Sequence, residues 1–128
     1  MSPRAPDAPI GSAAHFRVRI ADVEIALSSV TGLSTAGQDG LAPPRVTLRR
    51  ALTGDRRLFD WWQHRAEAAD VVVEVLSPDV ATPVAAWVLH DARPSRWSGP
   101  TLDALAGGVA FEELDLTFAR VDWRHPEP

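Results

Sequence analysis

The stretch Ala85–Phe118, AAWVLHDARPSRWSGPTLDALAGGVAFEELDLTF, decides how this chain folds, because it joins two strand-like runs through a turn-rich corner. Trp87 and Leu89 alternate with Ala86, Val88 and His90, the period of a strand with two unlike faces. Pro94 and Pro100 cannot donate to a ladder and Ser98-Gly99-Pro100 is turn chemistry, so the chain is expected to leave the sheet over Asp91–Pro100. It is expected back at Val109. From there Ala110, Glu112, Leu114, Leu116 and Phe118 share one face and Glu113, Asp115 and Thr117 the other, a half-buried strand whose apolar face is interrupted by Glu112.

Working outward, His15–Ile20 alternates Phe16, Val18 and Ile20 with His15, Arg17 and Arg19. Val23, Ile25 and Leu27 repeat the alternation after Ala21-Asp22, which predicts a tight antiparallel hairpin, extended past a bend at Ser28-Ser29 by Val30–Leu33. Ser34–Pro44 is a loop by its glycine and proline content. Arg45–Arg50 restores a strand, with Val46 and Leu48 opposite Thr47 and Arg49. Thr53-Gly54-Asp55 offers a cap for a helix over RRLFDWWQHRAEAA, where Leu58, Trp61, Trp62 and Arg65 share one side. Adjacent tryptophans cannot both point straight inward at about 100° per residue, which would set one of Trp61 and Trp62 at the helix edge or against a partner; the plainer reading, that both belong to the core, is the preferred expectation. Ala69–Leu76 is β-branched on both phases and reads as a central strand, Ser77-Pro78-Asp79 turns the chain, and Pro83–Asp91 returns antiparallel.

The expected architecture is mainly β, a small barrel or rolled antiparallel sheet of about six strands with one helix between the third and fourth. Residues 1–14 read as a flexible N-terminal arm, 15–121 as the domain and 122–128 as a C-terminal tail that frays beyond Arg120.

Composition narrows the function. The 128-residue chain has no cysteine and a net charge of −4, which removes thiol chemistry and most structural zinc sites and argues against a general phosphate-backbone binder. Neither an apolar run long enough to cross a bilayer nor the apolar core of a signal peptide is present, so a cytoplasmic product is expected. His15, His64, His90 and His125 are scattered without ligand spacing, and Glu112 and Glu113 point to opposite faces of one strand, which denies them a shared acid–base role. Serine motifs of hydrolases are missing, and Gly107-Gly108 lacks the lysine and spacing of a phosphate loop. No catalytic, cofactor or metal residue is therefore assigned.

Several segments in order, Val46–Arg50, a Leu/Phe-Asp-Trp helix start, Pro83–Trp87, Asp91-Ala92-Arg93-Pro94, Arg96-Trp97, Gly99-Pro100 and Val109–Leu116, resemble the tail-tube family, whose members form the inner tube of contractile phage tails and extracellular contractile injection systems. The resemblance runs from about Phe16 to Phe118, with Arg93 where the family usually carries a first tryptophan and Phe118-Ala119-Arg120 where a His-Glu-Gly-like end is common. It implies a barrel-like subunit that joins copies of itself into a hexameric ring by sheet augmentation, without cofactor. It also implies partnership with other tube, sheath or baseplate subunits and a payload, possibly a protein cargo, in the lumen. The segment Thr35–Arg45 is shorter than the family's stacking arm, which suits a tube end or a baseplate adaptor as well as a trimmed shaft subunit.

Of single residues, Glu112 in an apolar phase calls for a partner, and Arg96 is the expected one. The alternative is a bulge that turns Glu112 to solvent. Trp87 and Trp97 are expected to anchor the core, with stacking on a sugar or base as the other reading. Arg17, Arg19, Arg49 and Arg50 are candidates for contacts between subunits or for a solvated face, and Pro94 and Gly99 for the corner. A rival of a different class is a ligand-binding barrel or enzyme closed by the Trp61/Trp62 helix.

Overall fold

A computed structural model describes residues 10–35, 43–64, 67–79 and 82–125. Among these, eight strands and one helix follow the order β1 (Phe16–Ile20), β2 (Val23–Ile25), β3 (Ser29–Thr31), β4 (Arg45–Ala51), α1 (Arg57–Gln63), β5 (Ala69–Leu76), β6 (Pro83–Ser98), β7 (Phe111–Thr117) and β8 (Arg120–Arg124). The fold is mainly β and antiparallel, as expected, but the strands number eight, the helix follows the fourth, and the sheet stays open rather than closing into a barrel. Residues 1–9 of the expected 1–14 arm, most of the shortened 35–45 segment, Arg65 and the last residues 126–128 lie outside the described residues.

Two half-sheets share β6. In one, β2, β1, β5, the first part of β6 and β8 lie side by side; in the other, β3, β4, β7 and the second part of β6 do. The β1–β2 hairpin turns at Ala21 and Asp22, both at positive φ (49° and 65°), the backbone of a two-residue turn matched to strand twist. The bend after Ile25 carries the chain from the first half-sheet to the second, so Ser29–Thr31 pairs with β4 instead of lengthening the first hairpin.

The corner differs from its sequence reading. Over Asp91–Ser98 the chain does not leave the sheet; β6 runs unbroken for sixteen residues. Asp91 at φ 54° and a register shift between Pro94 and Arg96 turn the strand across the two half-sheets. Pro94 needs no donor at the shift, which is why a proline sits inside this strand. The chain beyond Arg120 is likewise no frayed end: β8 pairs Ala86–His90 through Trp87↔Trp123 and Leu89↔Val121. Together β6 and β7–β8 make one long bent hairpin, from Ser98↔Glu113 near its tip to Ala86↔Arg124 at its base.

Inward-facing Val18, Ile20, Val71, Val73, Leu89 and Ala92 of one half-sheet meet Val46, Leu48, Leu114, Leu116 and Phe118 of the other, with Leu58 of α1 sealing one side. The alternation that predicted the strands is what buries these residues. The helix is shorter than the sequence suggests and its N-cap position is Arg56, one residue past the Thr53-Gly54-Asp55 segment that offered the cap; the Asp55 carboxylate accepts the Arg57 amide N–H at 3.0 Å. The β-branched run that begins at Ala69 belongs to β5, which leaves room for about two helical turns only.

Candidate assembly surface

The interior polar groups of the second half-sheet are gathered around Arg50. Its Cβ lies on the inner face with Val46 and Leu48, and it is paired in register with Glu112. Arg50 and Glu112 are 5% and 2% exposed. Arg50 Nε donates to Glu112 Oε2 at 3.1 Å, Nη1 to Asp55 Oδ2 at 3.1 Å and Nη2 to the Asp55 carbonyl oxygen at 2.6 Å. The Trp97 indole N–H donates to the remaining Glu112 oxygen at 3.0 Å. Arg57 closes on Asp55 from outside at 2.6 Å, and its hydrogen bond is the leading cause that holds the Asp55 carboxyl well below the usual carboxylate range. A buried ion pair is tolerated when its remaining lone pairs and protons are satisfied, and here β4, β6, β7 and the loop before α1 supply them.

Arg96, the expected partner of Glu112, is exposed and sits opposite Asp115 on the outer face. The extra residue at the register shift separates it from the Trp97 that does reach Glu112. Arg50 is equally not a surface residue, since its whole guanidinium is spent inside the chain. Glu112 is buried and paired, which removes the alternative that a bulge turns it to solvent. A residue the sequence reading did not single out as a candidate is Glu74, only 2% exposed on the outer face of the first half-sheet. It is bracketed by Arg17 at 3.0 Å and Arg19 at 3.4 Å. The break it makes in the apolar run of β5 was the available signal.

The tryptophans divide between core and rim. Trp97 packs edge-on to Phe59 of α1 with ring centroids 4.9 Å apart, and Trp61 and Trp62 are both half-buried against the core. The Trp61 indole N–H donates to the Glu67 carbonyl at 3.0 Å. Trp87 lies against the core on one side and meets Trp123 edge-on at 5.1 Å on the other. Pro94 is buried opposite Leu116, and Gly99 is exposed just past the end of β6, against the Trp97 ring.

The outer faces are charged. On the second half-sheet Arg49 lies 3.8 Å from Glu113 and 3.7 Å above the Phe111 ring, and the Thr47 hydroxyl donates to Asp115 at 2.7 Å. On the first, His90 Nε2 lies 2.8 Å from Asp122, and this contact leads the causes that hold the Asp122 carboxyl below its ordinary value. Strands β2 and β8 are the two margins of that half-sheet, and among the described residues neither has a strand on its outer side. Unpaired backbone along a margin is a template for another strand.

This open β unit is matched by the family model described as "T4-like virus tail tube protein gp19" over residues 42–122, more than half of the 128-residue chain. The chain belongs to that tail tube family. Tail tube proteins and the neighbouring folds below are structural, and this one is a structural tube-type protein of contractile systems rather than an enzyme. Three solved structures share its fold. A chain of the extracellular contractile injection system "PVC sheath/tube terminator in extended state" is 24% identical with a TM-score of 0.81, covering 94% of this chain and 100% of its own. A chain of the "PVC sheath-tube complex in extended state" is 23% identical with a TM-score of 0.79, covering 90% and 91%. The "anti-feeding prophage cap (AFP tube terminating cap)" is 19% identical with a TM-score of 0.79, covering 98% and 100%. Among curated proteins, no sequence matches this tail tube protein. No helix among its described residues is long and apolar enough to cross a membrane.

Proposed function

We propose that this protein is a ring-forming subunit of the inner tube of a contractile phage tail or injection particle, assembled in the cytoplasm by pairing the edge strands of neighbouring copies. The observation that carries this reading is the pair of open margins, β2 and β8, at opposite sides of one half-sheet. A margin of one copy laid against the other margin of the next is a head-to-tail contact, and such contacts close into rings when the rotation permits. Glu24 on β2 and Arg120 and Arg124 on β8 stand on the same outer face and give the junction complementary charges. The inner-face residues at the two margins, Val23 and Trp123, are both exposed and become covered. The charged outer face that holds Arg17, Arg19 and Glu74 then runs from copy to copy and lines the lumen, where a protein cargo would pass. Sheath and baseplate subunits are the remaining partners, and a hexamer is the expected ring.

A second reading places the protein at a tube end, as a terminator or baseplate adaptor. The short segment from Thr35 to Arg45 favours it, and the terminator and cap chains match this chain over their whole length. Light scattering of the purified protein over a concentration and salt series, with negative-stain images of the same fractions, tests both readings. Stacked tubes identify a shaft subunit and isolated rings an end subunit. A monomer under every condition, including addition of preformed baseplates, overturns the ring-forming role.

A further inference from the structure

The N-terminal segment enters the fold at one end of an apolar groove. The Ser12 N–H donates to the Leu76 carbonyl oxygen at 2.9 Å, and Gly11 packs on Val75 so closely that a Cβ there would meet its side chain at 2.5 Å. Ser12 and Ala13, with Phe16, Leu33 and Val73, line a cleft of 220 Å³. Leu33 is shared with a second, mostly apolar cleft of 260 Å³ that continues past Ser34 to Trp87 and Val121. Trp123 stands beside Trp87 on that same inner face, edge-on at 5.1 Å and largely exposed. The groove thus begins where the chain enters and ends in two tryptophans.

The polar tips of those two tryptophans are unspent. The indole N–H groups of Trp61 and Trp97 donate within the chain, whereas those of Trp87 and Trp123 meet no acceptor among the described residues. Aromatic grooves are docking sites for polyproline II segments, which make no internal hydrogen bonds and keep their carbonyl oxygens available to such donors. Residues 1–9, MSPRAPDAP, carry Pro3, Pro6 and Pro9. At three residues per turn this spacing would stack all three rings on one side. The reach is ample. Val75 is paired with Ala85, two residues before Trp87, so Trp87 is about 7 Å further along and Trp123 one strand, about 5 Å, across. Nine residues of polyproline II span roughly 28 Å.

We propose that Met1–Pro9 seats as a polyproline II segment over Trp87 and Trp123 of its own chain, and covers the β8 margin until a neighbouring copy displaces it. The occupant is this chain's own segment because it is joined to the other end of the groove. So short a tether gives a local concentration on the order of 1 mM, which fills a site that a free peptide would occupy weakly. Trp123 cannot be covered by this segment and by the β2 of the next copy at once, so the segment restrains ring formation. That restraint rests on the ring-forming reading above; the docking itself does not.

The cysteine-free chain permits a direct test by disulfide trapping. The full chain carrying Ala5→Cys and Ser34→Cys is exposed to a mild oxidant at low protein concentration. A disulfide within one chain is the expected product, formed several-fold more slowly when Pro3→Gly, Pro6→Gly and Pro9→Gly are added. In NMR spectra of the cysteine-free protein, the same three changes are expected to move the indole N–H signals of Trp87 and Trp123 and to leave that of Trp97 in place. By light scattering, the triple-glycine protein is expected to form rings at a several-fold lower concentration. A cross-linking rate indifferent to the prolines, or indole signals that do not move, overturns the docking. Cross-links formed chiefly between chains overturn the choice of the chain's own segment and assign the groove to a second copy. An unchanged assembly threshold overturns the restraint while leaving ring formation intact. Failure of both proteins to form rings removes the restraint together with the ring-forming reading, and the cross-link and indole results still decide the docking.

Discussion

Arg50 and Glu112 are cross-strand neighbours on β4 and β7, and their side chains meet at 3.1 Å inside the apolar face. Removing one partner leaves the other charged, buried and unpaired, whereas replacing both with apolar residues restores a plain core. Glu112→Ala is expected to destabilise the fold by about 3–5 kcal/mol, and Arg50→Met/Glu112→Leu by much less. Urea unfolding of the three proteins decides it. Equal midpoints for Glu112→Ala and the parent protein would show that the pair contributes nothing.

Asp55 makes the stability of the α1 end depend on pH in a defined direction. Its carboxyl is held low, chiefly by Arg57 and then by Arg50, so the folded state favours the ionised form more than the unfolded chain does. That contribution is complete above the ordinary carboxylate value of about 4 and is lost as pH falls below it. The gap in melting midpoint between the parent and Asp55→Asn is expected to be widest near neutrality and to close in acid. A gap that is constant from pH 7 to about pH 2 would contradict the assignment.

Gly32 occupies φ 88°, and a Cβ built there would lie 2.8 Å from the Arg45 carbonyl oxygen, a backbone atom with little room to yield. Gly32→Ala therefore combines left-handed strain with a clash. A loss of about 1–3 kcal/mol is expected, read as a lower chemical-denaturation midpoint, and a stabilised variant would show that the turn relaxes freely.

Trp123 lies on the outermost strand, 73% exposed, with its ring edge-on to Trp87. Trp123→Ala is expected to cost about 0.5–1.5 kcal/mol for the lost aromatic pair and to speed amide exchange in Val121–Arg124 while leaving β7 protected. Uniform exchange changes across β7 and β8 would mean that the two strands do not open separately.

Much of this fold was legible in local pattern: β1, β4 and β7 lie where apolar and polar residues take turns, β5 where a β-branched run is apolar on both phases, and the β1–β2 turn sits on Ala21-Asp22 as read. The misplaced Glu112 was visible too, because it breaks a phase. Its partner was not read. Arg50 falls in phase with Val46 and Leu48, and the same phase argument applied to β4 would have found it, but pairing the two needs the β4–β7 register, which no local pattern carries. Prolines misled at the corner, since Pro94 sits at a register shift where a missing donor costs no ladder bond. In β8, Arg-Val-Asp-Trp-Arg has the alternation of an edge strand, but being short and charged it reads like a tail. Trp123 was missed with it.

Because β6 is a single backbone segment shared by both half-sheets, pulling the halves apart at that corner means stretching covalent bonds rather than separating packed side chains. At the opposite corner Ala26–Ser28 ties β2 to β3 in the same way. A load applied along the subunit is therefore carried lengthwise by the rungs of the long hairpin, which would have to shear together instead of unzipping one at a time. A wall built from such units would yield at the seams between copies before it yielded within them.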